Sequence, residues 1–431
     1  MHPDDLRRDL DAIVTAGIDA VHPGRLLAQA LERDPEVSRG QAVRVLCAGK
    51  AASGMAAAAE QYLGPRLVRG LIVSPAAAAM GGAFDAVAGG HPLPTADSER
   101  AGTLAIALAA SVLPDELFLC LLSGGASALM AVPADGITLA DKKETTNRML
   151  RCGGDITALN TVRKHLSAIK GGQLAVRAAA ATHTLAISDV VGDDLAVIGS
   201  GPTVADASRF GEALDALGTF GGVDAYPATV VARLTAGARG EIRETPKPSD
   251  PRLARSAAVV IGSRATAMEG ACRAAERLGY RVIRIADAVV GEARQAAHAH
   301  LRAIAAPLQA IDDPICIVSS GETTVSVTGS GRGGRNQEFA LAAATAWPDH
   351  GRRLLVASAG TDGVDGPTDA AGAVADETTV ARARRLGLEP ERFLQDNDSH
   401  TFFRSLGDLI VTGPTGTNVG DLQVCLAGAR R

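Results

Sequence analysis

The chain of 431 residues is longer than one compact core accommodates, and its 46% hydrophobic content supplies a core to each of two domains. Its 43 lysines and arginines against 48 aspartates and glutamates leave a net charge of −5, and aromatic residues make up 3%. With no basic excess and few rings for base stacking, nucleic acid is excluded as an expected partner.

The N-terminal MHPDDLRRDLDAIV is charged and amphipathic, unlike a secretory leader, and no apolar run reaches the roughly 18 residues of a spanning helix. A cytoplasmic location away from membranes is therefore expected. The six cysteines, Cys47, Cys120, Cys152, Cys272, Cys316 and Cys425, form no C-x-x-C pair and sit in apolar segments. They read as small hydrophobes in a reducing compartment.

Aliphatic runs such as AVRVLCAGK, LIVS, LFLCLLSGGAS and TLAISDVVGDD alternate with Ala/Leu-rich helical stretches. This alternation predicts an α/β fold whose mostly parallel sheet carries helices on both faces. EIRETPKPSDPR, broken by Pro246, Pro248 and Pro251, reads as a linker between domains. Beyond it, CIVSSGETTVSVTG alternates Thr/Ser with Val, which predicts a half-exposed strand and a mixed sheet in a smaller second domain.

Five glycine-rich turns follow predicted strands, where α/β sheets present ligands. In CAGKAASGM a strand end passes into a helix whose amides and Lys50 suit an anion; a solvated lysine is the alternative. The P-loop pattern is absent, since Arg44 and Ala51 stand where glycine and a hydroxyl are required. LLSGGASALM offers Ser123, Gly124, Gly125 and Ser127 as a phosphate cradle or as a plain turn and cap. LNTVRKHLSAIKGGQLA places Arg163, Lys164 and Lys170 near a Gly-Gly break, either as dipole partners or as anion ligands. ISDVVGDDLAVIGSGPT clusters Asp189, Asp193 and Asp194, which suits Mg²⁺ or a set of Asx turns. The fifth group joins Glu322, Arg332 and Arg335 to SAGTDGVDGPTDAAGA, with Asp362, Asp365 and Asp369.

The stretch VSVTGSGRGGRNQEFALAAA carries Gly329, Gly331 and Gly334 at the G-x-G-x-x-G spacing of a dinucleotide loop. Its alternating strand and late position do not fit that use, and Arg332 and Arg335 suggest a cationic wall instead.

Together AGKAASGM, GHPLPTADS, LLSGGASAL, LNTVRKHLSAIKGGQLA, ISDVVGDDLAVIGSGPTVAD, SGETTVSVTGSGRGGRNQE, SAGTDGVDGPTDAAGA, NDSHTFF and TGPTGTNVGDLQV resemble the glycerate 2-kinase family, also called glycerate kinase type II. Its C-terminal half is the MOFRL module, and some members are labelled hydroxypyruvate reductase, the alternative NAD(P)H-dependent activity. The resemblance implies a Rossmann-like glycerate kinase domain over residues 1–245 and a MOFRL-type α/β domain over 246–431. It also implies ATP- and Mg²⁺-dependent phosphorylation of the 2-hydroxyl of D-glycerate, in a cleft between the domains. Lys50 and Arg335 correspond to the family's catalytic lysine and key arginine, and Asp189 is the candidate base. The expected phosphate-binding residues are Ser123, Gly124, Gly125, Ser127, Gly333 and Gly334, with Arg163 and Arg332 on substrate and Asp189, Asp193 or Glu322 on metal. D-Glycerate and ATP are then the small-molecule partners, and a homodimer is compatible. Ala126, His400 and Gly420 depart from common family residues and bear on substrate range.

Overall fold

The computed structural model describes residues 3–76, 81–347 and 352–430. The chain divides into two compact units, Pro23–Ile261 and Met1–His22 with Gly262–Arg431.

In the first unit the strands are β1 (Val43–Ala48), β2 (Leu67–Ser74), β3 (Phe84–Ala88), β4 (Leu117–Leu122), β5 (Ala181–Ile187) and β6 (Ser256–Gly262). They lie in the order β3-β2-β1-β4-β5-β6, with parallel pairing from β3 through to β5. β4 (LFLCLL) is buried along its whole length, as a strand covered on both faces must be. Helices Ala52–Leu63 and Ala96–Ala110 follow β1 and β3. Leu46, Phe118, Cys120, Leu129 and Ile169 belong to one core, while Met149, Leu159, Phe210, Leu217 and Leu234 form a second under a group of helices inserted between β4 and β6. The strand order reverses between β1 and β4, and the carboxyl ends of these two strands mark the crevice where an open α/β sheet places its ligand.

The second unit holds β7 (Arg281–Arg284), β8 (Val289–Glu292), β9 (Ile315–Thr324), β10 (Leu354–Gly360), β11 (Gly372–Asp376), β12 (Leu409–Ile410) and β13 (Asp421–Ala427). Their order is β12-β11-β10-β13-β9-β7, with β8 also beside β9. β7 and β8 run parallel to β9, whereas β13, β10, β11 and β12 pair antiparallel, giving the expected mixed sheet. β9 differs from expectation: it is continuously buried from Ile315 to Gly321 and stops at Thr324, so Ser326 and Thr328 lie beyond the strand. Its pairing on both sides, with β13 and with β7 and β8, makes it central rather than half exposed.

The expected boundary at 245/246 also shifts. The proline-rich segment lies within the first unit, because β6 after it joins that unit's sheet beside β5. The helix Pro3–Ala20 belongs with the second unit: Leu6, Leu10, Ile13 and Val14 share a core with Met268, Val318 and Leu422. A Cβ on Gly17 would sit 2.5 Å from the Leu422 side chain, so a larger residue would force that side chain to shift. Tyr280 donates to Asp9 at 2.9 Å and Arg7 pairs with Asp408 at 3.4 Å, fixing the same helix from its polar side.

Five of the cysteines are buried and Cys152 is exposed; all six are free thiols. Cys152 departs from the expected apolar setting because it caps the helix Leu139–Arg151 at the surface. Among the described residues no helix is long and apolar enough to cross a membrane.

Candidate active site

The crevice between β1 and β4 gathers the first group of candidates. The Lys50 amide donates to the Gly124 carbonyl at 2.9 Å, and Ser123 N–H donates to Ala48 O at 2.9 Å, so the two strand ends are clamped to each other. The Ser123 hydroxyl, buried, accepts from the Ala51 amide at 3.0 Å. Ser123 therefore braces the crevice with its side chain rather than offering that hydroxyl to a ligand. The helix Ala52–Leu63 starts without a side-chain cap, which leaves its positive dipole end at Lys50.

Gly124 and Gly125 are wedged between two titratable groups. A Cβ on Gly124 would collide with the Asp189 carboxylate, and one on Gly125, whose φ is +87°, would meet His91 at 3.0 Å. Burial raises the Asp189 pKa above the usual carboxylate value, against the opposing pull of Lys50. Burial also lowers the His91 pKa, and the Lys50 charge lowers it further. The structure thus brings Lys50, Asp189, Gly124, Gly125 and His91 to one place. His91, in the GHPLPTADS stretch, was not singled out by sequence.

Beside this cluster a cavity of about 240 Å³ is lined by His91, Gly125, Ser127, Lys142, Arg163 and Lys170. Lys170 Nζ donates to the Ser127 carbonyl at 2.7 Å and to its hydroxyl, and lies 3.5 Å from Ser200 Oγ. Ser127 and Ser200 hydroxyls are 2.9 Å apart, and Ser200 donates to Asn160 Oδ1 at 3.2 Å. Gly171 and Gly172 amides bond the Ser200 and Gly201 carbonyls, which joins two of the glycine-rich turns. Lys164, adjacent to Arg163, is turned elsewhere and pairs with buried Asp206 at 3.3 Å.

In the second unit the glycine-rich loop before the helix Arg335–Thr345 is filled from within. Asp365 accepts from the Asn336 amide at 3.0 Å and the Gln337 amide at 2.9 Å, and from the Gln337 side chain at 2.9 Å. Gly334 lacks room for a Cβ because its backbone packs on that carboxylate, and Gly333 packs on Ser399 in the same way. The Asn336 and Gln337 amides at the start of this helix already hold an internal anion, and packing against Ser399 and Asp365 accounts for glycine at 333 and 334. Burial raises the Asp365 pKa to about 6 against those amides, with the Asp421 charge adding to the rise.

Arg335 is equally committed. Its Nε and Nη2 bind Asp421 at 2.8 and 2.9 Å, and Nη1 pairs with Glu322 at 3.1 Å. Burial alone would lower its pKa, yet the Asp421 and Glu322 charges raise it overall. Arg332 donates to the Pro367 carbonyl at 3.1 Å, and His400 bonds Asp369 at 2.8 Å.

These features can be set beside known proteins. The family described as "Domain of unknown function (DUF4147)" matches residues 9–235, and the MOFRL family matches 315–421. A "D-glycerate 2-kinase" of Thermotoga maritima is 34% identical over 98% of this chain and 99% of its own length. A "Glycerate 2-kinase" of Pyrococcus horikoshii is 37% identical over 79% of this chain and 78% of its own. The chain belongs to the glycerate 2-kinase family. A crystal structure of glycerate kinase from Thermotoga maritima superimposes with a TM-score of 0.88, covering 98% of this chain and 100% of that one at 34% identity.

Two of the candidate metal residues of this glycerate 2-kinase family member lie on one loop. Asp189 and Asp193 follow β5, and Asp193, at the unusual φ of +55°, has a buried Oδ1 with no hydrogen-bond partner among the described residues. A carboxylate oxygen left in that condition suits a cation. Mg²⁺ asks for one or two carboxylates beside phosphate oxygens and water, so the two aspartates fit it, and a third protein ligand is not required. Among the described residues no three His, Cys, Asp or Glu side chains cluster as a metal set. Glu322 is instead the ion-pair partner of Arg335. Lys142 escaped the sequence reading because a lysine pair inside LADKKETTNRML has the pattern of a solvated helix face, whereas Lys142 is buried.

Proposed function

We propose that this member of the glycerate 2-kinase family transfers the γ-phosphoryl group of ATP to the 2-hydroxyl of D-glycerate, releasing 2-phosphoglycerate and ADP. The observation that carries the reading is the match to a D-glycerate 2-kinase along essentially the whole of both chains. The crevice supplies a fitting chemistry. Phosphoryl transfer asks a protein for position and for positive charge around three equatorial oxygens, with little covalent work.

In this reading Lys50, at the end of β1 and beside an uncapped helix start, stabilises the transferring group. The backbone of Gly124, Gly125 and Ser127 shapes the wall against which nucleotide phosphates lie. Asp189 takes the proton of the 2-hydroxyl as the oxygen attacks phosphorus and the bond to the bridging oxygen of ADP breaks; its raised pKa suits a base. Mg²⁺, when bound, would be held by Asp193, whose buried Oδ1 has no partner among the described residues, and would neutralise phosphate charge while Asp189 serves as the base. Arg163 contacts substrate. Within the second unit, Arg335 shapes the loop that carries Arg332.

The dinucleotide spacing lends the hydroxypyruvate reductase alternative no support, because the Asn336 and Gln337 amides that open the helix after that loop are taken by Asp365. Following ADP release with and without D-glycerate tests the kinase reading. Glycerate-dependent release is expected; NADH oxidation by hydroxypyruvate without ATP would overturn it.

A further inference from the structure

The cavity beside the crevice is lined by Lys142, Arg163 and Lys170, and among the described residues lining it there is no carboxylate. Lys142 and Lys170 are 7% and 3% exposed, so bulk water solvates neither amine. Their hydrogen bonds go to neutral oxygens: Lys142 to the Val132 carbonyl at 3.5 Å and Lys170 to Ser127. Buried cations in a folded protein are normally paired, and among the described residues neither Lys142 nor Lys170 has a carboxylate within ion-pair distance. At about 240 Å³ the cavity is below the range of drug-sized sites, which suits a three- or four-carbon acid better than a nucleotide.

We propose that Lys142, Arg163 and Lys170 form the carboxylate site for the short hydroxy acid, with Lys142 and Lys170 as specificity residues that select an anionic acceptor over a neutral polyol. The proposal rests on the kinase reading for the identity of the acid. It places the carboxyl end of the substrate in the cavity and its hydroxyl toward Gly125, next to Asp189 and Lys50.

A proton should accompany the acid. Burial, then the Arg163 charge, lowers the Lys142 pKa to about 7, with Glu99 opposing and Arg233 adding. Burial and the charges of Lys142 and Arg163 hold Lys170 well below its ordinary value. His91 and Lys143 also face the cavity. A carboxylate entering this group favours the charged amines, so binding at pH 8 should be accompanied by net proton uptake.

The test is calorimetric titration of the full chain at pH 8 in two buffers of different ionisation enthalpy, with and without a non-hydrolysable ATP analogue. D-Glycerate is the probe and glycerol the uncharged control. Wild type is expected to bind D-glycerate with proton uptake and to bind glycerol at least ~30-fold more weakly, the range of a charged hydrogen bond. Lys142→Met and Lys170→Met should each raise the KM for D-glycerate roughly 10- to 100-fold while the KM for ATP moves less than about threefold. Lys142→Arg preserves the charge without a titrating amine, so it should keep affinity within about fivefold and lose at least about half of the proton uptake. Equal affinity for glycerol, absence of proton uptake in wild type, uptake unchanged in Lys142→Arg, or variants that weaken ATP rather than the acid would each overturn the assignment. The last of these would give the cavity to nucleotide phosphate. Loss of the kinase reading would appear separately, as absence of glycerate-dependent ADP release.

Discussion

Replacing Arg335 by methionine separates a structural arginine from a catalytic one. Asp421 is fully buried and takes both of its close charged hydrogen bonds from Arg335, at 2.8 and 2.9 Å. In Arg335→Met only the Asn336 side chain at 2.9 Å and the Thr323 amide at 3.4 Å remain to it. Breaking a buried pair from one side costs about 3–5 kcal/mol, because the remaining charge has no access to water. For a unit of this size each kcal/mol moves Tm by roughly 2–4 °C, so a fall of about 6–20 °C is expected in the calorimetric transition of the second unit. Asp421→Asn should cost less: the Arg335 side chain is 29% exposed, can hydrate, and keeps Glu322 as partner. An Arg335→Met protein that melts like wild type yet loses turnover would refute this account of the residue.

Lys50→Ala should lower kcat roughly 10²- to 10³-fold with an unchanged melting curve, as for other groups that stabilise developing charge; steady-state ADP release measures it, and unchanged kcat would contradict the role. Ser123→Ala leaves the buried Ala51 amide unsatisfied, and denaturant titration should show a loss of about 1–3 kcal/mol. Buried His300 has its pKa lowered from 6.5 to about 4 by desolvation. The unfolded state therefore binds the proton first, so stability present above pH 6.5 is lost as pH falls toward 4. That loss is at most about 3 kcal/mol from this group, and His300→Leu should flatten the acid limb of the stability curve.

Much of the fold was legible in the sequence for a physical reason. Strands such as LFLCLL, buried on both faces, read as unbroken apolar runs, and the turns after β1, β4 and β5 announce themselves by glycine and charge. Long-range pairing was not legible. Nothing local in PDDLRRDLDAIV says that its apolar face covers β13, and nothing in the proline-rich segment says that the next strand returns to the first sheet. The same limit applied to the site. Glycine at 334 signalled a close approach, but sequence could not distinguish an approaching phosphate from Asp365, which lies 31 residues farther along the chain. Charge type was visible at Lys50, Asp189 and Arg163; burial, which converts Lys142 from a surface residue into a cavity wall, was not.

The position of phosphorylation tests the central claim most directly. ATP and D-glycerate are incubated with the protein, and enolase is added without a phosphoglycerate mutase while phosphoenolpyruvate is followed. Transfer to the 2-hydroxyl predicts that phosphoenolpyruvate forms as fast as ADP is released. Product that reaches phosphoenolpyruvate only after a mutase is supplied would place the phosphate on the 3-hydroxyl and contradict the account.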